Sequence, residues 1–273
     1  MSGVEPSHCD KENRPSVPKY NMVGRIFNFT NTYCPEAYEG FEVIDLSSLS
    51  GTDMYCDDRA RETISESFEG EPGGLHLIDS GNYHYMTRLF TAKIAEPYEL
   101  IYFDNHTDMK PAMFDMLSCG SWAKESLERD ENLKRLYMVG PPEKSIGELP
   151  EKIKNNDKLV IITAEELEED YGGALRRLLK QREGSGKIPL YISIDKDILS
   201  KDEVLTNWDQ GSLLMEDLCD MLKTISRDSK ILGTDICGLM PASQPEGPDA
   251  YEKGLKTDLE LCQIFCLKSL KTE

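Results

Sequence analysis

Leu100-Ile101-Tyr102-Phe103-Asp104-Asn105-His106-Thr107-Asp108 is an apolar run that ends in three metal-ligand side chains at every second position. Successive side chains of a strand point to opposite faces, so Asp104, His106 and Asp108 aim at one place. A second stretch, Ile188-Pro189-Leu190-Tyr191-Ile192-Ser193-Ile194-Asp195-Lys196-Asp197, repeats the design with Asp195 and Asp197. Carboxylates and imidazoles suit a divalent ion such as Mn, Zn or Fe. Five such groups, four of them carboxylates, exceed the need of one ion and suit two that share bridging carboxylates. An aspartate at a strand end often caps the following turn, and a lone histidine is usually structural. Both strings ending strong apolar runs favour the metal reading over that one.

Working outward, eight apolar runs fit strands: residues 23–29, 41–46, 75–79, 99–104, 135–140, 158–163, 188–195 and 230–237. Several are almost continuously apolar, as parallel strands covered on both faces tend to be. Helical patterns lie between them. Thr163-Ala164-Glu165-Glu166 is a capping box opening a helix toward Leu179, with Gly172-Gly173 as an expected interruption. Leu214, Leu218, Met221, Leu222 and Ile225 form one amphipathic stripe, and Leu255, Leu259, Cys262 and Cys266 another. Strand alternating with helix predicts an α/β fold of three layers, a mainly parallel eight-stranded sheet with helices on both faces. Pro141-Pro142 and Gly184–Gly186 read as surface turns. Residues 1–20 form a polar, Pro-bearing tail, and residues 21–273 one α/β domain. In such sheets ligands collect at the carboxyl ends of the strands, where both acidic strings fall.

The formal net charge is −19, from 50 acidic and 31 basic side chains, with no basic stripe. That excludes a general nucleic-acid or anionic-membrane role, which needs clustered Lys and Arg. No apolar run approaches the ~20 residues of a membrane span. The eight cysteines form no Cys-x-x-Cys, and no signal peptide precedes them, so a reducing cytoplasm is expected. The only tryptophans, Trp122 and Trp208, each follow a ligand string, and Asp209 follows Trp208. Loops after metal-bearing strands form pocket mouths, so Trp122, Trp208 and Asp209 are expected to line a small-molecule substrate pocket. Packing of both indoles between loop and sheet is the alternative.

The two strings resemble the signature of the ureohydrolases, the arginase and agmatinase family. Its members carry Asp-Ala-His-x-Asp and Ser-x-Asp-x-Asp on strands of one sheet, matched here by Asp104–Asp108 and Ser193–Asp197. An earlier Gly-Gly-Asp-His string of the family is matched by Gly81-Asn82-Tyr83-His84, and the resemblance spans roughly residues 75–241. It implies an arginase-like fold and two divalent ions, Mn2+ first. His84 and Asp108 would complete one site, His106 and Asp197 the other, with Asp104 and Asp195 bridging. It further implies hydrolysis of a non-peptide C–N bond of a guanidine, amidine or amide by a metal-bridging hydroxide, with Asp108 as the catalytic proton carrier. A homo-oligomer is allowed by this reading and not required by it.

Two departures stand out. The loop in which arginases carry a proton-shuttling histidine is Leu117-Ser118-Cys119-Gly120-Ser121-Trp122, with none. Gly238 stands where the guanidinium-gripping acid follows a late strand. The first removes that proton relay, and the second argues against arginine or agmatine as substrate. They keep two rivals open: a deacetylase-like amide hydrolase on the same scaffold, and a metal-binding protein without turnover.

Overall fold

All eight apolar runs form strands of one sheet. The strands are β1 (Gly24–Asn28), β2 (Phe41–Asp45), β4 (Leu75–Ile78), β5 (Tyr98–Phe103), β7 (Leu133–Val139), β8 (Leu159–Ile162), β9 (Leu190–Asp195) and β10 (Ile231–Cys237). The computed structural model describes residues 24–33, 38–68, 73–183, 188–241 and 247–269. The polar tail and the Gly184–Gly186 turn lie outside them. The order across the sheet is β2-β1-β4-β10-β9-β5-β7-β8, and every neighbouring pair is parallel.

The middle strands explain the near-continuous apolar runs. All six residues of β5 and of β9 are buried. Alternate residues enter opposite cores. Ile101, Phe103, Ile192 and Ile194 pack with Leu178, Leu222 and Leu259 on one face. Leu100, Tyr102 and Tyr191 pack with Ile64, Phe90 and Trp122 on the other. Each fully buried aliphatic contributes about 1.5–3 kcal/mol of transfer free energy, which makes this double-sided burial the main force holding the sheet. Helices α1 (Asp58–Ser67), α2 (Met86–Thr91) and α3 (Trp122–Arg129) cover the second face, while α6 (Ala164–Glu183), α7 (Met215–Arg227) and α8 (Gly247–Ser269) cover the first. Short helices α4 (Glu143–Gly147) and α5 (Glu151–Lys154) follow β7.

The capping box forms as expected: Glu166 N donates to Thr163 Oγ1 at 3.2 Å, and Thr163 N to Glu166 Oε2 at 3.0 Å. The interruption of α6 comes at Asp170 (φ −150°, ψ 77°), before the glycines. Asp170 Oδ1 accepts from Gly173 N at 2.9 Å, so this aspartate caps a second helical segment. A Cβ at Gly173 would lie 2.2 Å from Asp170 Oδ2, which is why a glycine stands there. Leu214 precedes α7 and is exposed, so the α7 stripe begins at Met215. Leu255, Leu259 and Cys262 are buried, and the Cys266 side chain lies outside the described residues. A small antiparallel pair, β3 (Tyr55–Cys56) with β6 (Leu117–Ser118), was not legible from periodicity, because two residues carry no alternation.

The register places the acidic strings together. Phe103 pairs with Ile194 across β5 and β9, so the next residues, Asp104 and Asp195, stand side by side at the carboxyl edge. His84 arrives from the turn after β4, which β10 separates from β9.

Candidate metal centre

Asp104 is the pivot of the site. Its Oδ2 lies 3.1 Å from His84 Nδ1, and its Oδ1 lies 3.3 Å from His106 Nδ1. His84 Nδ1 is also 3.2 Å from Asp108 Oδ2 and 3.7 Å from Asp195 Oδ2. His106 Nδ1 is 2.8 Å from Asp197 Oδ2. Two ligand groups result, His84–Asp104–Asp108 and Asp104–His106–Asp197, with Asp104 in both. The structure therefore brings all six expected ligands to one place.

Local backbone geometry builds these groups. The 3₁₀ turn Gly81–Tyr83 carries the chain from β4 to His84. A Cβ at Gly81 would meet Asp195 Oδ2 and Trp208 Cδ1, both at 2.8 Å, so a glycine lets this turn lie against the site. Backbone amides orient the carboxylates: His106 N donates to Asp104 Oδ1 (2.6 Å), Asn105 N to Asp197 Oδ1 (3.0 Å) and Asp197 N to Asp195 Oδ1 (3.0 Å). Asp108 adopts a left-handed backbone (φ 49°), which aspartate tolerates better than most residues.

Four buried carboxylates this close cannot all carry charge without a counter-charge. Burial, with Asp197 and Asp104 adding repulsion, pushes Asp195 up to about 7. Burial and Asp104 raise Asp197 to about 6. Burial opposes protonation of His84, but the Asp104 and Asp108 carboxylates outweigh it and hold the imidazole well above its usual range. His106 behaves alike under Asp104 and Asp197. Apart from bound cations, the two imidazoles are the positive charge available inside the cluster. His84 Nδ1, fully buried and facing three carboxylates, has no hydrogen-bond partner. A donor set of imidazole nitrogens and carboxylate oxygens around such an atom fits divalent cations.

Beneath the ligands lies a polar chain that sequence reading missed. Ser193 Oγ sits 2.9 Å from His84 Nε2 and donates to Asp235 Oδ1 at 2.7 Å, and Thr87 Oγ1 donates to the same oxygen at 3.0 Å. This contact occupies Nε2 and leaves Nδ1 to the carboxylates, the outer support that imidazole ligands commonly have. Burial raises Asp235 to about 6. A charged residue inside the apolar run 230–237 was the available signal. Also missed was Cys237, whose Sγ lies 3.2 Å from Asp195 Oδ2 and which forms a third group with His84 and Asp195.

The expected pocket residues separate. Trp208 lines a cavity of about 280 Å³ above the ligands, with its ring 5.4 Å from that of His106 and its indole N–H on Asn82 Oδ1 at 2.9 Å. Trp122 is not at the mouth. It is fully buried at the start of α3, its ring 4.8 Å from that of His84, and its Nε1–H donates to Asp108 Oδ2 at 2.5 Å. A 3₁₀ turn (Met113–Asp115) and β6 carry the chain from the ligand loop back to α3, whose first residue puts the indole into the core below the site. Asp209 also stays out of the cavity: its side chain is exposed, and only its carbonyl is engaged, by Asn105 Nδ2 at 3.0 Å. Lys110 and Glu148 instead bring charge to the cavity wall, beside Cys119, Leu149 and Pro150.

Gly238 (φ +92°) turns the chain after β10, and a Cβ there would lie 2.7 Å from Asp195 Oδ1. No acidic side chain fits that position without displacing Asp195.

A comparison with protein-family models matches residues 73–257 to the Arginase family. The chain belongs to the arginase family. An uncharacterized protein of Thermotoga maritima is 32% identical over 165 residues, 60% of this chain and 58% of that protein. The chain thus spans less than two thirds of that relative. Among solved structures, proclavaminate amidino hydrolase from Streptomyces clavuligerus superposes with a TM-score of 0.64 at 18% identity, covering 91% of this chain and 93% of that one. Formimidoylglutamase from Bacillus subtilis gives 0.62 at 14%, covering 98% and 96%. Formiminoglutamase from Trypanosoma cruzi, solved with Mn2+, gives 0.60 at 13%, covering 89% and 92%. These likenesses show the arginase-like α/β fold. Among the described residues no helix is long and apolar enough to cross a membrane.

Proposed function

We propose that this arginase-family chain is a binuclear metal-dependent hydrolase of a non-peptide C–N bond in a small molecule. The observation that carries the reading is Asp104, whose two oxygens face two different histidines at 3.1 and 3.3 Å. His84, Asp108 and Asp195 would hold one cation and His106, Asp197 and Asp195 the other, with Asp104 shared. Two bound divalent cations, Mn2+ first, lower the pKa of water toward ~7 and stabilise charge developing at an sp² carbon.

The chain supplies the rest. Asp108 accepts the proton of the attacking water and passes it to the leaving nitrogen. Trp122 holds Asp108 Oδ2, so the carboxylate keeps one orientation during that transfer. Trp208 offers a flat wall for a planar amidine or amide. Lys110 is the one Lys or Arg among the described residues that line the cavity, and it favours a substrate with an anionic group distant from the reacting carbon. The solved relatives named as amidino hydrolase and formimidoylglutamase support an amidine-type group. Gly238 puts no acid after β10 to grip a free guanidinium, which makes arginine a poor substrate. A cytoplasmic setting agrees with the free, buried Cys56, Cys119, Cys219 and Cys237.

The test is turnover of guanidines, formimidoyl and amidino acids, and acylated amines by protein of measured metal content. Metal-dependent release of the nitrogen product from an amidine-bearing acid is the expected result. Turnover confined to acylated amines would assign the chain to amide hydrolysis, and no turnover with two metals bound would make it a binding protein.

A further inference from the structure

Strand β10 ends on a thiol that faces the candidate metal centre. Cys237 is 1% exposed and unpaired, and its Sγ lies 3.2 Å from Asp195 Oδ2. Ligand atoms of His84, Asp195 and Cys237 all lie within 4.8 Å of one another, close enough to share one ion. Two further observations point there. His84 Nδ1, 3.7 Å from that same Asp195 oxygen, is buried without a hydrogen-bond partner. The turn after Cys237 is pinned, because Gly238 N and Leu239 N both donate to the Asp79 carbonyl, at 3.0 and 3.1 Å, and Gly238 takes a φ of +92°. The backbone therefore delivers Sγ to this place and holds it there.

We infer that Cys237 is a sulfur ligand of the cation on the His84 side. The inference rests on the binuclear reading above and makes its two sites chemically unequal. The His106 side offers oxygen and nitrogen alone and suits Mn. The His84 side adds a soft donor, which favours Zn, Co or Fe(II) over Mn. On ligation the S–H bond is replaced by a sulfur–metal bond, and the thiol proton leaves to solvent. Cys119, the other thiol near the site, lines the cavity and belongs to none of the three ligand groups, so it serves as the internal control.

The experiment loads the metal-free full chain with Co(II) or Zn(II), counts bound metal, and records the near-ultraviolet spectrum and the X-ray absorption of wild type, Cys237→Ser and Cys119→Ser. The expected result is two ions per chain and a sulfur-to-cobalt charge-transfer band. That band is kept in Cys119→Ser and lost in Cys237→Ser, and the zinc form shows one sulfur neighbour at about 2.3 Å. If Cys237→Ser does not fold, a sulfur neighbour present in both wild type and Cys119→Ser still supports the assignment. Two bound ions with no sulfur neighbour would overturn the thiol ligand and leave the binuclear centre standing. A band that survives in Cys237→Ser would also overturn it. Failure to bind Co and Zn would overturn both.

Discussion

Trp122 donates its indole N–H to Asp108 Oδ2 across 2.5 Å, from a fully buried ring that also lies 4.8 Å from the His84 imidazole. The tryptophan therefore orients a carboxylate of the candidate metal centre and lies outside the cavity lining. Trp122→Phe keeps most of the packing and removes the donor. Loss of such outer support typically costs about 10–100-fold in metal affinity or activity. The variant should lower kcat and weaken metal binding on the His84 side, with KM nearly unchanged. A purely structural ring would lower the melting temperature and leave kcat and metal affinity alone.

His76 gives the metal-free protein an acid limb of known sign. It lies on β4 at 1% exposure, its ring 4.3 Å from that of Phe90 and 5.7 Å from that of Phe27. Burial, with help from the Arg25 charge, depresses its pKa to about 3. The unfolded chain binds a proton near pH ~6.5, while the folded one resists until about 3. The contribution is thus complete above ~6.5 and is lost as pH falls through that window, on the order of 3 kcal/mol by about pH 4. In the presence of chelator, His76→Phe should lose less melting temperature than wild type between about pH 7 and 4. Parallel losses would show that other groups carry the acid limb.

Lys110 is exposed on the cavity wall. Lys110→Ala should raise KM for an anionic amidine by about tenfold and leave kcat within about twofold, the pattern of lost uniform binding. The same change on an uncharged amidine should be small. Equal KM values in both proteins would remove the anion from the substrate class.

Gly238 joins an unusual backbone angle to a tight neighbour. Gly238→Asp, the change that would imitate the acid of arginases, forces a side chain onto φ +92° with its Cβ 2.7 Å from Asp195 Oδ1. Strain of this kind costs on the order of 1–3 kcal/mol. The variant should lose stability and bound metal without gaining arginine hydrolysis. Measurable urea release from arginine would show that the site tolerates the acid.

Much of this was legible in the chain. Double-sided burial made β5 and β9 continuous apolar runs, and the every-second spacing marked Asp104, His106 and Asp108 as ligands, although β5 ends at Phe103 and the three converge from the loop after it, with Asp108 at φ 49°. Trp122 misled, because its distance from Asp108 in sequence does not reveal that the chain enters α3 inward. Ser193 was legible only as the first residue of the Ser-x-Asp-x-Asp string, and Cys237 was silent, because their contacts appear only when β4, β9 and β10 are laid side by side. Lys110 and Glu148 lie in loops, where no periodicity indicates which side chains face a cavity.

Metal stoichiometry of the wild type beside Asp104→Ala and His106→Ala tests the central claim most directly. Asp104 offers one oxygen to the His84 group and the other to the His106 group. Elemental analysis after Mn loading and desalting should give near two ions per chain in wild type, near one in His106→Ala and well below one in Asp104→Ala. A single ion in wild type, or an Asp104→Ala protein that still holds two, would contradict a centre built on a shared Asp104.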